Sequence, residues 1–369
     1  MTKLLIAVTA DSSVRLLDGQ LEYMSNHGFD VHLVVSKGVW SNRLAQKGQI
    51  TVHQIPMERD IAILKDIKAL ILMIHIFRKV KPDISNVGTP KAALLGSIAA
   101  FLTRTKKRIY TLRGLRMETE TGAKQRLLRF IEELIMFLST KVIAVSPSLI
   151  TKARELGLKG TDKMLVLGKG SSNGLRLENF MKKSQEKIEN PFQKEKFVIG
   201  FSGRITKDKG IEELIDAFCQ IEDANLLLVG GIDANHCLKE KTLEIIKSHP
   251  CIYITGWLDN PAPFYKYMDI FVIPSYREGF ANVCLEAAAS ELAVIGTNVT
   301  GIKDSVINGE TGLLIPVKSK DAIQIAVKKL RHNKEIRQKL GAQGKQRVIN
   351  DFQSGRIWTY MVAEYARED

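Results

Sequence analysis

Short apolar runs alternate with longer amphipathic segments along most of the chain. In the first half, the runs at 4–8, 31–36 and 50–56 are typical of strands, whereas 14–26 and 61–80 have the apolar spacing of helices. Further strands are predicted within the stretches DISNVG, KRIYTL and KVIAVS. Continuous apolar strands that alternate with helices favour a parallel sheet that is covered on both faces.

This pattern is interrupted once and then resumes. Residues 168–180 are rich in glycine and serine, and residues 181–196 are charged without clear periodicity, which predicts a linker. We therefore predict an α/β protein with two Rossmann-like, doubly wound parallel-sheet domains at 1–170 and 197–353, joined by a linker at 171–196. Ligands of such sheets bind beyond the carboxyl ends of the strands, so a cleft between the domains is the expected site.

The charge of the chain is concentrated in its first half. Lysine and arginine outnumber aspartate and glutamate by 54 to 40 in the 369 residues, and residues 1–190 hold 31 basic against 17 acidic residues. Residues 191–369 hold 23 of each. Such a basic first domain attracts phosphates, anionic lipid surfaces or nucleic acid. Lys106, Lys107 and Arg108 are expected to contribute to this surface.

Cysteine usage and hydropathy narrow the class of protein further. The four cysteines lie in the second half without a Cys-x-x-Cys pair, which argues against a zinc finger or a disulfide framework and fits a reducing cytoplasm. The longest apolar run, 92–102, has 11 residues, whereas a membrane span needs about 20. Any membrane role is therefore expected to be peripheral. Most of the 61–80 helix is expected to face the core, with a membrane-touching face as the alternative.

The strongest local signal for chemistry is REGFANVCLEAAAS, which follows an apolar strand and opens a helix. Gly279 permits close backbone approach, and the amides of 280–283 would form an anion-binding helix N-terminus. Glu278 and Glu286 bracket this turn with seven residues between them. A carboxylate beside a phosphate site needs another partner, and sugar or ribose hydroxyls are suitable ones.

A second signal lies in FSGRITKDKGIEELIDAF. A strand ends at Gly203 and presents Arg204, and Lys209 precedes a helix start. Cations do not favour the positive end of a helix dipole, so their presence there indicates a bound polyanion. A diphosphate between Arg204, Lys209 and the amides of 279–283 would satisfy both motifs.

These features resemble those of the retaining glycosyltransferases of the GT-B fold, in the large family 4. The Glu-x7-Glu spacing of Glu278 and Glu286 matches the signature of that family, and Arg204 with Lys209 matches its donor diphosphate site. The resemblance covers essentially the whole chain. PKAALLGSIAA, RIYTLRGLRMETETG, VIAVSPSL and GKGSSNGLRLENF are similar to members that extend lipid-linked saccharides in capsule, O-antigen or glycoprotein assembly.

The resemblance implies a role for each matching residue. Arg204 and Lys209 would neutralise the donor diphosphate, which is the leaving group, and Glu278 would orient the donor sugar; these three are the candidate catalytic residues. Glu286 would hydrogen-bond the ribose hydroxyls. For Trp257, core packing is an alternative to binding the base. The other residues expected to line the donor site are Gly203, Gly230, Gly231, Gly256, Trp257, Leu258, Gly279, Phe280, Ala281, Asn282 and Val283.

The first domain would hold the acceptor, and the chain would return to it at the end, with 354–369 packing on it. The acceptor candidates are Asp11, Ser12, Thr89, Lys91 and Arg113. Many relatives have a Gly-Gly turn where this chain has 9–13, so the donor contact at that turn is expected to differ. Many also have a histidine where Arg113 stands. An arginine cannot act as a base, but it suits a phosphate of a diphosphate-bearing acceptor.

The implied reaction needs no metal or other cofactor. No Asp-x-Asp motif occurs, and Arg204 with Lys209 would replace the ion. The expected donor is a UDP-sugar, preferably a UDP-linked N-acetylhexosamine, and the expected acceptor is an undecaprenyl diphosphate-linked saccharide at the inner face of the cell membrane. The resemblance implies retention of anomeric configuration, through front-face attack guided by the diphosphate or, alternatively, a covalent intermediate on Glu278.

Two other function classes are weighed against this one. A UDP-sugar 2-epimerase of related two-domain architecture would need titratable acids and bases in the cleft, and the donor motifs contain no suitable histidine. A nucleic-acid-binding protein would fit the net charge of +14, but the basic region has few aromatic residues for base stacking. We expect no nucleic-acid partner.

Overall fold

The computed structural model describes residues 1–58, 62–181, 188–192, 196–233 and 238–367. These residues form two compact units, Met1–Gly174 with Ser354–Asp369, and Leu175–Gln353. Each unit is built around one sheet, and every strand pair within the sheets is parallel where its register is defined. The predicted fold class, two doubly wound parallel-sheet domains, is confirmed.

The first unit has a seven-stranded sheet with the order β3-β2-β1-β4-β5-β6-β7. Because β1 has β2 on one side and β4 on the other, the winding direction reverses between β1 and β4. Helix α4 packs on this sheet and contacts both α3 and α5. Its strands are β1 (Thr2–Ala7), β2 (Phe29–Val35), β3 (Thr51–Gln54), β4 (Ile84–Gly88), β5 (Lys107–Leu112), β6 (Lys141–Ala144) and β7 (Met164–Leu165). Its helices are α1 (Gln20–Asn26), α2 (Val39–Gln46), α3 (Ile63–Val80), α4 (Pro90–Leu102), α5 (Gly122–Leu138) and α6 (Pro147–Glu155).

The second unit has a six-stranded sheet with the order β10-β9-β8-β11-β12-β13, which reverses between β8 and β11. Leu226 and Leu228 of β9 pack into one apolar cluster, and Leu227 and Val229 into another, so the sheet is buried on both faces. Its strands are β8 (Phe197–Ser202), β9 (Ala224–Val229), β10 (Ile252–Ile254), β11 (Ile270–Ile273), β12 (Ala293–Thr297) and β13 (Gly312–Ile315). Its helices are α7 (Glu178–Met181), α8 (Ile211–Phe218), α9 (Glu240–Ser248), α10 (Asn282–Ala289), α11 (Ile302–Ser305), α12 (Lys320–His332) and α13 (Lys334–Asp351).

The last helix, α14 (Ser354–Ala366), belongs to the first unit. Its Tyr365 hydroxyl accepts a hydrogen bond of 2.6 Å from the Asn86 side chain on β4. The Lys107 ammonium donates to the carbonyls of Glu364 and Tyr365 at the end of this helix. Lys107 is therefore buried and fastens α14, so the expectation that it contributes to an exposed basic surface is wrong.

Three predicted elements differ from those observed. The predicted 14–26 helix is a 3-10 helix at Asp11–Leu17 followed by α1, because Gly19 adopts a φ of 73° and breaks the run. A side chain at Gly19 would stand 2.7 Å from the Trp358 indole, which explains the glycine. Part of the predicted linker, from Leu175 to Met181, belongs to the second unit, where the Leu175 amide donates to the Phe352 carbonyl. The linker positions 182–187 and 193–195 lie outside the described residues.

Helix α3 also differs from expectation, because a row of apolar side chains on it is exposed. Ile63, Leu64, Ile67 and Ile71 are 71%, 84%, 51% and 62% exposed. The buried side is formed by other residues of the helix, Ala69, Met73, Phe77 and Val80. The middle of the helix, 69–74, is apolar at every position, and periodicity alone therefore did not show which face is covered.

Candidate active site

The residues of both strong motifs meet where the second sheet reverses. Arg204 follows β8, and the turn that carries Glu278 follows β11, the strand beside β8. The Tyr276 amide donates a hydrogen bond to the Asp208 carbonyl and so links these segments. The backbones also approach closely at Gly210, where an added Cβ would stand 2.1 Å from the Pro274 carbonyl oxygen. The carboxyl edge at such a reversal is where ligands bind in doubly wound sheets.

Glycines line this edge because backbones and rings approach closely there. A Cβ on Gly230 would stand 1.9 Å from the Gly203 carbonyl oxygen, and both glycines have a φ of 143°. A Cβ on Gly231 would stand 2.4 Å from the Trp257 indole. The Trp257 side chain is 65% exposed, so its alternative assignment to the core is wrong. Its ring instead stands at the carboxyl ends of β9 and β10.

Both candidate cations are paired with carboxylates. The Arg204 guanidinium contacts Asp233 at 3.0 Å, and Lys209 forms a short ion pair with Glu278. Asp233 was not singled out in the sequence; its signal was an acid two residues after the Gly230–Gly231 pair. The Lys209–Glu278 pair joins the two predicted motifs directly.

Positive charge accumulates around Asp208, which lies between the two cations in sequence. Burial raises the pKa of Asp208, but a hydrogen bond from Thr206 and the charges of Lys209, Arg204 and Arg277 more than reverse this, so its pKa lies below the ordinary value. The positive potential of three basic side chains is therefore felt at Asp208, at this edge of the sheet. Such a field favours a bound polyanion.

The turn that presents Glu278 is fixed by backbone contacts. The Glu278 amide donates to the Thr300 carbonyl, and a Cβ on Gly301 would stand 2.7 Å from the carbonyl oxygens of Glu278 and Gly279. Gly301 has a φ of 78°, so glycine is required there on both counts. The loop after β12 thus packs directly under the turn and holds Glu278 in place.

Helix α10 begins later than the motif predicted. Its N-cap is Ala281, which makes no side-chain capping bond, so the first helical amides are those of Asn282 and Val283. The amide of Asn282 donates to the Phe280 carbonyl, and Phe280 lies before the helix. The predicted anion-binding amides 280–283 therefore divide into a turn and a helix start. The helix N-terminus remains at the carboxyl edge of the sheet.

Glu286 lies one turn into α10 and is held by a residue that sequence analysis missed. The buried Tyr265 hydroxyl donates to Glu286 Oε2 at 2.6 Å. Tyr265 lies in a 3-10 helix at Ala262–Tyr267, which had no recognisable motif. Gly256 and Leu258 flank Trp257 in the loop that precedes this helix. All the predicted donor residues thus belong to the second unit.

The predicted acceptor residues belong to the first unit and follow β1, β4 and β5, again where the sheet reverses. Thr89 has a φ of 68°, an unusual value for a threonine, and its hydroxyl accepts from the Thr9 amide at 2.8 Å. Lys91 forms an ion pair of 2.6 Å with Asp66 of α3. Ser12 lies in the 3-10 helix Asp11–Leu17.

Asp11 has a structural task that the sequence did not reveal. Its carboxylate accepts from the amides of Trp40 and Ser41 at 3.0 and 2.7 Å, and so caps the N-terminus of α2. A Cβ on Gly38 would stand 2.2 Å from the Asp11 carboxyl carbon. The helix N-cap residue itself is this glycine, and Asp11 supplies the cap from a distant part of the chain.

Arg113 places two buried guanidinium nitrogens where the described residues offer them no partner. Its Nε and Nη1 atoms are inaccessible to solvent and have no hydrogen-bond partner among the described residues. A Cβ on Gly88 would stand 1.8 Å from Nη1, so only glycine leaves room for the guanidinium. Burial lowers the pKa of Arg113 to about 10, and the group stays charged at neutral pH. An anion that reaches it would supply the missing partner.

The first unit also contains a buried pair of ionisable side chains, one on β5 and one on α5. The Tyr110 hydroxyl of β5 donates to Glu132 of α5 at 3.0 Å. Burial raises the pKa of Glu132 to about 7, although the hydrogen bond from Tyr110 acts in the opposite direction. Glu132 was not among the predicted site residues.

Within the described ranges, no three histidine, cysteine, aspartate or glutamate side chains are grouped so that they could hold a metal ion. None of the helices in the described part of the chain has the length and hydropathy needed to cross a bilayer.

Comparison with known proteins assigns the family. Residues 182–347 match "Glycosyl transferases group 1", and residues 4–146 match "Glycosyl transferase 4-like". The chain is 41% identical over 370 residues to the capsular polysaccharide biosynthesis glycosyltransferase CapM of Staphylococcus aureus, covering 98% of this chain and 96% of CapM.

More distant similarities extend over most of the chain. It is 24% identical to the UDP-Gal:alpha-D-GlcNAc-diphosphoundecaprenol alpha-1,3-galactosyltransferase of Escherichia coli, over 90% of this chain and 88% of that protein. The crystal structure of Anabaena Alr3699/HepE in complex with UDP-glucose has a TM-score of 0.81 at 16% identity, covering 99% of this chain and 100% of that one, which shows the fold. The chain belongs to the family 4, group 1 glycosyltransferases and has their GT-B fold.

Proposed function

We propose that this glycosyltransferase transfers a sugar, of the N-acetylhexosamine type, from a UDP-sugar to an undecaprenyl diphosphate-linked saccharide in capsule or surface polysaccharide synthesis, with retention of configuration. The observation that carries the proposal is the convergence of Arg204, Lys209 and Glu278 with the start of α10 at the edge where the second sheet reverses. The Staphylococcus relative supports the capsule pathway by its name, and the Escherichia relative supports the donor nucleotide and the lipid diphosphate.

In this proposal the second unit binds the donor. Arg204, Lys209 and the first amides of α10 hold the diphosphate, and Glu286 receives the ribose hydroxyls. The exposed Trp257 ring offers the base a flat apolar face beside Gly231. Gly203, Gly230 and Gly256 leave room for the nucleotide to approach the backbone.

Leaving-group stabilisation is the proposed main source of catalysis. The nucleoside diphosphate gains negative charge as it departs, and cations and amides already fixed at the sheet edge stabilise it. Because Lys209 is paired with Glu278, we propose that the donor diphosphate takes over the ammonium and that Glu278 turns to the hydroxyls of the donor sugar. The acceptor hydroxyl then attacks the donor sugar from the face that the diphosphate leaves, which retains the anomeric configuration. A covalent intermediate on Glu278 is the alternative.

The first unit is proposed to bind the acceptor diphosphate. Arg113 supplies a buried guanidinium with two unpartnered nitrogens, and Lys91 and Thr89 lie at the start of α4 beside it in the sheet order. Asp11 and Ser12 follow the central strand β1, and we propose that Ser12 contacts the acceptor sugar while Asp11 holds α2 in place.

The proposed place of work is the cytoplasmic face of the cell membrane. Residues 1–190 hold 31 basic and 17 acidic residues, which favours an anionic lipid surface. The exposed apolar row of α3, formed by Ile63, Leu64, Ile67 and Ile71, supplies the apolar contact that a peripheral protein needs. Asp66 of the same helix is paired with Lys91, so this row starts close to the proposed acceptor residues.

No metal or other cofactor is proposed to take part, because Arg204 and Lys209 supply the positive charge that an ion would otherwise supply to the diphosphate. Transfer is expected to proceed at an unchanged rate after treatment with a chelator. A rate that falls on chelation and recovers with Mg²⁺ or Mn²⁺ would contradict this part of the proposal.

The deciding experiment is a transfer assay with a panel of UDP-sugars and a synthetic prenyl diphosphate-linked sugar. We expect a disaccharide product whose new linkage has the anomeric configuration of the donor, with the highest turnover for a UDP-N-acetylhexosamine. Lys91→Ala should raise the acceptor KM without changing donor binding. Conversion of the UDP-sugar to its C2 epimer without an acceptor would favour the epimerase alternative.

A further inference from the structure

Tyr265 and Glu286 form a buried hydrogen bond at the edge of the proposed donor site. Tyr265 lies five residues before the start of β11, and Glu286 lies on α10 after that strand, so the bond joins two segments 21 residues apart. The hydroxyl donates to Oε2 at 2.6 Å, a distance typical of a strong bond to a carboxylate. Only 1% of the Tyr265 surface is exposed, so solvent does not compete for this bond.

The tyrosine itself is held rigidly. Its ring packs edge-on against Phe180 and tilted against Phe271, each with centroids 5.8 Å apart. The buried Ser202 side chain, at the end of β8, is close enough to the Tyr265 hydroxyl to lower its pKa, against the larger effect of burial. The Tyr265 hydroxyl therefore lies between a polar side chain of the central strand and the carboxylate of Glu286 on α10.

Charge determines which group donates in the hydrogen bond between Tyr265 and Glu286. Burial and the neighbouring Glu286 carboxylate raise the pKa of Tyr265 well above its ordinary value, so the hydroxyl keeps its proton and always donates to the glutamate. A glutamate side chain has three rotatable bonds, and holding one of its oxygens removes most of that freedom before a ligand arrives. A carboxylate offers about four acceptor positions, and Tyr265 uses one of those on Oε2.

We propose that Tyr265 is a positioning residue, which fixes the Glu286 carboxylate for the ribose hydroxyls of the donor and thereby sets a preference for ribonucleotides over deoxyribonucleotides. The inference rests on the proposed function, in which Glu286 binds the ribose. Tyr265 touches no substrate in this account and acts only through Glu286.

The test compares UDP with 2′-deoxy-UDP by titration calorimetry on the full chain. We expect the wild type to bind UDP about tenfold more tightly, the effect of one hydrogen bond to a charged group. Tyr265→Phe keeps the ring and removes the hydroxyl, and we expect the preference to fall to about twofold through weaker UDP binding. The matched control is Tyr267→Phe, whose hydroxyl donates to the Ile188 carbonyl in the same region and whose loss should leave the preference intact.

Two further variants separate positioning from a merely structural role. Glu286→Gln should lose the preference, and combining it with Tyr265→Phe should cause no additional loss, because both act on the same contact. Ser202→Ala removes the polar neighbour of the Tyr265 hydroxyl and should reduce the preference by a smaller factor, which provides a test that does not depend on the folding of Tyr265→Phe.

Three outcomes would overturn the inference, and they are distinguishable. A preference that persists in both Tyr265→Phe and Ser202→Ala contradicts the positioning role alone. Equal weakening of UDP and 2′-deoxy-UDP in Tyr265→Phe shows that the hydroxyl supports only the fold. A wild type that binds UDP without distinguishing it from 2′-deoxy-UDP removes the ribose role of Glu286, and with it the basis of the inference.

Discussion

Lys209 and Glu278, which lie 69 residues apart in the chain, form an ion pair at the carboxyl edge of the second sheet. The side chains are 18% and 16% exposed, so the pair is largely shielded from water. It joins a cation that follows β8 to a carboxylate that follows β11, the two strands between which the sheet reverses. Each group is proposed to meet a different part of the donor, the diphosphate and the sugar.

Removal of the Lys209 ammonium should therefore affect both the binding of the diphosphate and the position of Glu278. Lys209→Ala is expected to lower turnover by about 100-fold or more, because the departing diphosphate loses a fixed cation and Glu278 loses its partner. Steady-state rates with saturating donor measure this effect. Lys207→Ala, two residues away and exposed, is the matched control and should retain its rate. Equal rates for the two variants would contradict the assignment.

Arg113 should show a conflict between stability and function. Arg113→Met removes a partly buried cation with two buried, unpartnered nitrogens, so we expect the free energy of unfolding to rise by about 1–3 kcal/mol. The acceptor KM should rise at the same time, since the proposed phosphate contact is lost. Urea unfolding and acceptor titration measure the two effects, with exposed Arg116→Met as control. A destabilised variant with an unchanged acceptor KM would refute both parts.

Glu132 should make stability depend on pH in an unusual direction. Burial raises its pKa to about 7 in the folded protein, above its ordinary value of 4.5, so the folded state holds the proton more tightly than the unfolded chain. The stabilisation is present below pH 4.5 and is lost as the pH rises towards 7, by roughly 3 kcal/mol in total.

The neutral variant Glu132→Gln can still accept the Tyr110 hydrogen bond but cannot ionise. Relative to the wild type, it should gain stability as the pH is raised from 5 to 8, as measured by urea unfolding. A difference between wild type and variant that stays constant over this range would show that Glu132 does not titrate there.

Gly231 should be required for the position of the Trp257 ring. Because a Cβ would stand 2.4 Å from the indole, Gly231→Ala is expected to displace the exposed ring while leaving the sheet intact. UDP affinity should fall by about tenfold, the scale of one stacked base, with little change in melting temperature. Gly355→Ala, where nothing lies within 4 Å of the new methyl group, is the control. Unchanged UDP binding in Gly231→Ala would remove Trp257 from the base site.

The exposed face of α3 should contribute to membrane binding. Ile67→Ser with Ile71→Ser is expected to weaken binding to anionic vesicles by at least about fivefold, because two apolar side chains no longer enter the interface. The matched control is Ile307→Ser with Ile325→Ser, two exposed isoleucines of the second unit. Co-sedimentation measures both. Equal binding by the two double variants would leave charge as the sole attraction and exclude the α3 face.

The donor motifs could be predicted because each is contiguous in sequence. A strand, a small-residue turn and a helix follow one another within 201–218, and again from 270 to 290. Local pattern therefore places Arg204, Lys209 and Glu278 in the turns after strands, and Glu286 in the helix that follows. The parallel sheet then brings the ends of β8 and β11 together. Alternating apolar strands and helices were sufficient for that step.

The contacts that could not be predicted depend on partners far apart in the chain. Tyr265 lies in an irregular segment, and nothing near it indicates that its hydroxyl meets Glu286. Asp11 looked like a ligand residue, but it caps a helix that begins at Val39. Lys107 looked exposed beside Lys106 and Arg108, but α14 covers it from the other end of the sequence.

The most direct test of the donor assignment is a calorimetric titration with UDP, GDP and ADP in the presence of a chelator. The account predicts selective binding of UDP without metal, lost in Arg204→Ala and Lys209→Ala, whose fold is checked by melting temperature. Absence of nucleotide binding, or UDP binding that both variants retain, would contradict the claim that these two cations hold the donor diphosphate.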